Sequence, residues 1–223
     1  KGKAFLPRAF TENNHIEEIK GVYVPFWLYD GDMAADVSYY ATRSRTWTEG
    51  DYRVTRTDHY KLVRSGDVPF SRIPVDGSSK MPDEYMDAIE PLDYRELVPF
   101  STAYMPGYLA DKYDVDSKES RPRAVGRAER SSLNAMTATT GGYESISVAS
   151  SRFRLNNGSV RYAFLPVWLL STKWNGKNYL FAMNGQTGKL IGDLPVSKGK
   201  FFGTFIGIAA AVFAVCFAAL SFM

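Results

Sequence analysis

Cysteine is almost absent from this chain. The only cysteine among the 223 residues is Cys216, so no intrachain disulfide can form and no thiolate cluster can bind a metal ion. The two histidines, His15 and His59, lie far apart, and neither has a second histidine at ligand spacing. A disulfide-stabilised secreted scaffold is therefore excluded, and we expect no cofactor on these residues.

Long disordered stretches are also not expected. The chain carries 14 Tyr, 14 Phe and 4 Trp, whereas disordered segments are poor in aromatic residues. It is long enough to bury one large core or two small ones. The sequence starts at Lys1 and stops within an apolar run, which we interpret as a piece cut from a longer protein.

Charged residues are missing from the last stretch, residues 201–223 (FFGTFIGIAAAVFAVCFAALSFM). A bilayer core about 30 Å thick needs about 20 apolar residues in a helix. We therefore predict a single C-terminal transmembrane helix and expect the lipid bilayer to be a partner of the chain. Lys189, Lys198 and Lys200 precede the run, and the positive-inside tendency then places the rest of the chain in the cytoplasm, at the cell membrane.

A strip of small residues runs along this predicted helix. Gly203, Gly207 and Ala211 recur at a spacing of four, which suits close packing of another helix. The strip predicts either self-association or pairing with a second span, and ordinary small-residue content is the alternative.

The charges are unevenly distributed along the chain. Residues 81–119 hold 3 basic and 10 acidic residues, whereas residues 120–200 hold 12 basic and 3 acidic ones. We favour the interpretation that these two regions face each other in the fold over the alternative of an external anionic partner.

Arginines follow one side of a predicted helix in the basic region. Arg123, Arg127 and Arg130 could contact phosphate, or they could pair with the acidic middle of the chain, which we favour. Because a sequence-specific reader needs more basic contacts, we do not expect this chain to bind nucleic acid.

The first part of the chain predicts antiparallel strands. Apolar residues alternate with a period of two from Val22 onwards, and we place hairpin turns at residues 30–32 (DGD) and 65–67 (SGD). The preceding residues 13–20 (NNHIEEIK) predict a short helical piece that stops at Gly21. Asp30, Asp32 and Asp36 are interpreted as solvated turn acids, because the glycine and glutamate of a calcium loop are missing.

The middle predicts helices, and strands return after it. Met81, Tyr85 and Ile89 recur at helical spacing, and a longer helix is expected from Ser120 to about Gly141. The last part predicts a meander with turns at residues 156–158 (NNG), 174–177 (WNGK) and 184–188 (NGQTG), because the central residues of such turns need positive φ.

Two hexamers echo each other, residues 23–28 (YVPFWL) and 164–169 (FLPVWL). Because proline lacks the ladder N–H, each copy is expected at a sheet edge, a strand start or a bulge. The echo favours two related β units separated by a helical insert, and chance similarity is the alternative.

These observations predict an α+β fold with four parts. An antiparallel β unit occupies residues 1–80, a helical insert 81–142, a β-meander 143–197 and the transmembrane anchor 198–223. No catalytic constellation is visible. Residues 183–189 (MNGQTGK) differ from a phosphate-binding loop at the first glycine, and Leu190 stands where a Ser or Thr is needed. We therefore expect that the chain is not an enzyme.

Several phrases together resemble an uncharacterised bacterial family of membrane-anchored proteins with an N-terminal zinc ribbon: VYVPFWLYD, IPVDGSSKM, IEPLDYREL, TAYMPGYLADKYDVD and LPVWLLSTKWNGKNYLFAMNGQTGKLIGDLP. The resemblance implies zinc-binding cysteines upstream of Lys1, and no zinc ligand carries over to this sequence. The final meander also resembles, over a short stretch, the β portion of PepSY-type modules.

The expected function is that of a membrane-tethered cytoplasmic interaction module that holds a protein partner. Its aromatic strands around Trp27 and Trp168 are the candidate binding site, with the alternative that these side chains are core. Two rival functions remain open. One is nucleic-acid binding through the missing ribbon, and the other is a hydrolase or a PepSY-like protease regulator.

Overall fold

The computed structural model describes residues 16–174, 176–193 and 197–221, which form one sheet with three helices. The strands are β1 Ile16–Glu49, β2 Tyr52–Asp76, β3 Leu109–Ala110, β4 Ser145–Trp174, β5 Lys177–Asn184 and β6 Leu190–Gly192. The helices are α1 Asp83–Ala88, α2 Ser117–Ala138 and α3 Lys198–Ser221, and two 3₁₀ turns lie at Tyr94–Glu96 and Thr102–Tyr104.

The strands form a six-stranded sheet in the order β2-β1-β4-β5-β6, and β3 pairs in parallel with β1. The predicted fold of two separate β units is wrong. The long strands β1 and β4 pair antiparallel from Ile16↔Thr172 to Thr42↔Ser145, which joins the two halves of the chain into one sheet.

The structure has no hairpin turn at three of the predicted positions, residues 30–32, 65–67 and 156–158. At each of them the strand continues. At residues 30–32, β1 stays extended while β2 and β4 each insert one extra residue opposite it. Arg72 (φ 57°) and Asn157 (φ 49°) take the left-handed conformations in these bulges. Residues 65–67 pair regularly with residues 34–36 of β1.

The other two predicted turns and the two predicted helices of the middle region are confirmed. Trp174 pairs with Lys177 around Gly176 (φ 76°), and a second turn with Gly188 (φ 71°) leads from β5 to β6. Helices α1 and α2 lie where helical spacing predicts them. The short N-terminal helical piece is wrong for residues 16–20, which lie in β1, and its residues 13–15 are outside the described residues.

The predicted transmembrane helix is also wrong. None of the helices in the described part of the chain combines the length and the apolar character that a membrane span requires. Helix α3 begins at Lys198, so Lys198 and Lys200 lie inside its first turn rather than before it. The anchor and the membrane localisation deduced from it are therefore corrected, and the bilayer as a partner stays a prediction.

The two faces of the sheet are covered at opposite ends. Side chains alternate along β1, so Val24, Phe26 and Leu28 share one face, where they pack against Met86 and Ile89 at α1. On the opposite face, further along β1, Ala35, Val37 and Tyr39 pack against Met136 of α2. Burying each large side chain stabilises the fold by about 1.5–3 kcal/mol.

The two echoed prolines lie in interior strands, not at a sheet edge. The Pro25 carbonyl accepts a hydrogen bond from Gly77 N, just past the end of β2. The Pro166 carbonyl accepts one from Gly185 N, just past the end of β5. The nitrogen and the carbonyl of one strand residue point to the same side of the strand. Each proline nitrogen therefore points to the side where the neighbouring strand, β2 or β5, has just ended, and no ladder hydrogen bond is lost there.

Candidate functional site

The two echoed hexamers are neighbours in the sheet. Tyr23 lies opposite Pro166 and Pro25 lies opposite Phe164 in the β1–β4 ladder. Because side chains alternate, Tyr23, Trp27, Phe164 and Trp168 share one face, while Phe26 and the aliphatic residues Val24, Leu28, Leu165 and Val167 point into the core on the other. The aromatic face is made of Tyr23, Trp27, Tyr162, Phe164 and Trp168.

Residues 100–115 cross over this aromatic face. The Tyr108 ring lies 4.9 Å from Tyr23 and 5.4 Å from Trp168, between ring centroids. Tyr113 lies 5.2 Å from Trp27 and 5.7 Å from Tyr162 by the same measure. The covering segment is therefore anchored by edge and tilted ring contacts, each worth about 0.5–1.5 kcal/mol beyond its burial.

The two tryptophans predicted to bind a partner lie under this segment. Trp27 is partly buried, and its Nε1 donates a hydrogen bond to Val115 O at 2.9 Å. Trp168 is partly buried against Tyr108. Both help to hold the covering segment in place, and the groove described next is lined by other residues.

A free edge of β4 lies beside this aromatic face. Strand β5 pairs with β4 only from Val167 to Trp174, so among the described residues the stretch 160–166 has β1 on one side and no strand on the other. Pro166 O points towards β5. Because backbone groups alternate in direction, Val160, Tyr162 and Phe164 direct their N–H and C=O groups to the same open side.

A groove of about 510 Å³ follows this free edge, which is within the range of ligand clefts. One wall is β4 itself, with Tyr162 and Phe164. The other wall comes from the segment before β3, with Leu97, Val98, Pro99, Phe100, Tyr104 and Met105. Five of these six wall residues are exposed, including Phe100 at 64% and Val98 at 60%. Such a contiguous apolar surface is typical of an interaction site.

The polar groups that line the groove are held by bonds within the chain. The Gln186 side chain donates to Asp93 O and to Glu96 Oε2, and it accepts from Asp93 N. Arg161 donates to both oxygens of Asp30. These bonds fix the two ends of the groove wall.

Asp30 connects the groove to the two bulges. Its Oδ1 accepts hydrogen bonds from Ser71 Oγ at 2.8 Å and from Arg72 N at 3.1 Å, in addition to Arg161. Burial alone would raise the pKa of Asp30, but the hydrogen bonds from Ser71, Arg161 and Arg72 outweigh it and lower the pKa. The interpretation of Asp30 as a solvated turn acid is wrong, since this carboxylate ties three strands together.

The predicted arginine face separates into two environments. Arg123 and Arg127 form ion pairs with acidic residues of the middle region at 2.7–3.2 Å: Asp83, Asp87 and Glu90. Arg130 is exposed. These pairs confirm that the acidic middle and the basic last third face each other in the fold.

The small-residue strip on α3 lies at a distance from the rest of the described chain. A Cβ placed on Gly203 or Gly207 would have no neighbour within 4 Å among the described residues. Self-association through this strip, including Ala211, stays a prediction. No group of three or more His, Cys, Asp and Glu side chains in the described ranges is placed to hold a metal ion.

The groove was missed at the sequence level. The structure gives residues 97–105 (LVPFSTAYM) a single 3₁₀ turn, Thr102–Tyr104, so no regular element marks this wall of the groove. The available signal was an apolar stretch with neither a helical nor a strand period, interrupted by Pro99. A stretch without a helical or strand period does not place its apolar side chains on one buried face, so some of them stay exposed at the surface.

Comparisons with known proteins give one informative match. The chain is 40% identical over 207 residues to the uncharacterized protein YdjG of Bacillus subtilis (strain 168). The match covers 93% of this chain but only 61% of that relative, so this chain spans less than two thirds of its length. No family model and no solved structure matches the chain.

Proposed function

We propose that this chain is a peptide-binding module that adds an extended apolar segment of a partner protein to the free edge of β4. The carrying observation is the unpaired edge of β4: Tyr162 and Phe164 line the groove, and Val160 continues the same edge just beyond it. A strand added at a sheet edge gains main-chain hydrogen bonds for affinity, and the pockets beside it select alternate side chains.

The walls of the groove support an apolar occupant. Phe100, Val98 and Tyr104 are all more than half exposed, and burying them against a partner would remove apolar area from water at about 25 cal/mol per Å². The groove edge from residue 160 to 166 is roughly 20 Å long at about 3.3 Å per residue. It can therefore accept a short extended segment rather than a folded domain surface.

The polar groups support recognition rather than chemistry. Gln186, Glu96 and Arg161 already have partners within the chain. The pKa of Tyr162 is raised, mainly by burial and further by Tyr113 and Asp111, so its hydroxyl stays protonated at neutral pH. These groups are suited to orienting a bound segment.

The proposal is tested by panning random peptides of about 12 residues against the chain. Selected peptides should show apolar residues at alternate positions, because only every second side chain of an extended segment faces the same wall. Two variants then probe the groove. Val160→Pro removes an outward N–H without touching the β1 ladder, and Val160→Thr keeps that N–H as its matched control.

Phe100→Ser removes apolar area from the opposite wall. Its control is Tyr52→Ser, since Tyr52 is 76% exposed beside the hairpin tip and outside the groove. We expect Val160→Pro and Phe100→Ser each to weaken peptide binding about tenfold or more, with the two controls unchanged. Selected peptides that bind the four variants equally would refute the proposed site.

A further inference from the structure

The stretch 160–166 of the β4 edge leads to a second cavity with basic residues at its mouth. This cavity of about 290 Å³ is lined by Gly158, Ser159 and Val160 of β4, by Lys118 and Arg121 of α2, and by apolar side chains that include Phe70 and Val125. Val160 therefore belongs both to the open edge and to the wall of this cavity.

The two cations at the mouth form no ion pair among the described residues. Lys118 and Arg121 are exposed, and no described carboxylate lies within 4 Å of their charged nitrogens. The nearby Asp116 carboxylate caps the helix: it accepts hydrogen bonds from the backbone N–H groups of Lys118 and Glu119, and it keeps its negative charge. The helix start is thus already capped, and the side-chain cations are the feature that is left to bind an anion.

Asp30 also lines this cavity, and its charge is already balanced. It accepts hydrogen bonds from Arg161, Ser71 and the backbone of Arg72. Lys118 and Arg121 are therefore the charged groups at this cavity that form no ion pair among the described residues, and each can bind a carboxylate.

The opposite end of the groove carries the opposite charge. Glu96 lines the groove at that end and accepts a hydrogen bond from the side chain of Gln186. Gln186 is close to Pro166, because the preceding residue, Gly185, donates its backbone N–H to Pro166 O. The groove is consequently acidic near Pro166 and basic near Ser159. This polarity suits a chain whose amino end lies near Pro166 and whose carboxyl end lies near Ser159.

That direction agrees with the sheet. Strand β5 is antiparallel to β4 and ends with Asn184 opposite Val167. A segment that continues the line of β5 in the same direction also runs from Pro166 towards Ser159. Antiparallel pairing is slightly more stable per residue than parallel pairing.

We propose that the bound segment runs antiparallel to β4 and ends in a carboxylate, either an acidic side chain or a free C-terminus, that binds Lys118 and Arg121. This inference rests on the proposed peptide-binding function, and it adds the direction and the charge of the ligand.

The test uses one groove-binding peptide sequence, obtained by the panning above, in four synthetic forms. One form ends in a free carboxylate, one in an amide, one in glutamate amide and one in glutamine amide. We expect the carboxylate and glutamate forms to bind about five- to tenfold tighter than the amide and glutamine forms, as two exposed charge contacts allow. A preference for only one of the two acidic forms identifies the source of the carboxylate.

Two variants locate this effect. Lys118→Gln combined with Arg121→Gln should abolish the advantage of the acidic forms and leave the affinity for the amide unchanged. Arg130→Gln, an exposed arginine on the same helix, is the matched control and should keep the advantage. The advantage should also shrink at high salt, because exposed charges are screened.

A nitroxide at the amino end of the peptide reports the direction. It should broaden the backbone NMR signal of Gln186 and spare that of Ser159, and the reverse pattern would overturn the inference. Equal affinity for all four forms would also overturn it, and the proposed function would survive if binding still depended on Val160→Pro. If no peptide binds at the edge, both the function and this inference are wrong.

Discussion

Among the ion pairs of this fold, those of Arg123 should contribute most to stability, so replacing Arg123 with alanine should lower the free energy of unfolding more than the loss of any other charged partner. Its Nη1 lies 2.8 Å from Asp76 Oδ1 and 2.9 Å from Asp83 Oδ1, and its Nη2 lies 2.7 Å from Asp87 Oδ1. The Asp76 side chain is only 1% exposed. One guanidinium thus joins β2, α1 and α2, and it is the cation beside a buried carboxylate.

The magnitude follows from the uncompensated charge. Removing one partner of a buried ion pair costs about 3–5 kcal/mol, because the other charge stays buried without its partner. Substituting an exposed arginine changes stability much less. Arg130→Ala on the same helix should therefore change the free energy of unfolding by less than about 0.5 kcal/mol.

The loss should depend on pH with a definite sign. Burial raises the pKa of Asp76 above 3.8 even though Arg123 opposes the shift. A raised folded-state pKa gives stability that is present below the unfolded pKa and is lost as the pH rises through the folded pKa. Without Arg123 the pKa of Asp76 should rise further, so the stability deficit should be smaller at about pH 5 than at about pH 7.

Urea unfolding followed by tryptophan fluorescence measures this directly, since Trp27 and Trp168 are partly buried in the sheet. Adding Asp76→Asn to Arg123→Ala should recover most of the loss, because the buried charge is then gone. A loss below about 1 kcal/mol, or a deficit that grows as the pH falls, would refute the reasoning.

Two further predictions concern stability. Asn184 is fully buried, donates to Ile89 O and Pro91 O, and accepts from Gln186 N and Thr187 N. Asn184→Ala should therefore cost about 2–4 kcal/mol in urea unfolding, and a loss equal to that of exposed-site variants would contradict this. Asp30→Asn should cost about 1–2 kcal/mol at neutral pH. Because the pKa of Asp30 is lowered, its contribution is present above the unfolded pKa and lost as the pH falls, so thermal unfolding should show the deficit vanishing in acid.

The strands could be predicted from the sequence, and their length could not. The alternating pattern identified β1, β2 and β4 correctly as extended. Asn157 and the glycine after it predicted a hairpin because they favour positive φ, yet a bulge needs the same conformation. Only the pairing partner decides between the two, and β1 runs unbroken beside residues 156–159.

Glycine misled the prediction at residue 66 for a different reason. A Cβ there would lie 3.6 Å from Met136 Cε, so the glycine lies directly beneath α2 and needs no turn conformation. A glycine in an extended strand and a glycine with the positive φ of a turn look the same in a sequence. At Gly176 and Gly188 the φ values are positive, and there the turn prediction was right.

The charge pattern predicted the contact between α1 and α2, whereas the groove could not be predicted. The groove exists because β5 stops pairing with β4 at Val167, next to Pro166, and because residues 97–105 lie beside the edge that is left open. The end of a ladder depends on contacts between distant parts of the chain. A single-sequence pattern carries no information about that end point.

Amide hydrogen exchange at Val160, Tyr162 and Phe164 tests the edge-binding account most directly. Without peptide, these amides should exchange quickly, while Arg161, Ala163 and Leu165, whose N–H groups face β1, should be protected. A saturating groove-binding peptide should slow exchange at the first three positions and leave the other three unchanged. Protection of Val160, Tyr162 and Phe164 before any peptide is added, or no change on binding, would contradict the account.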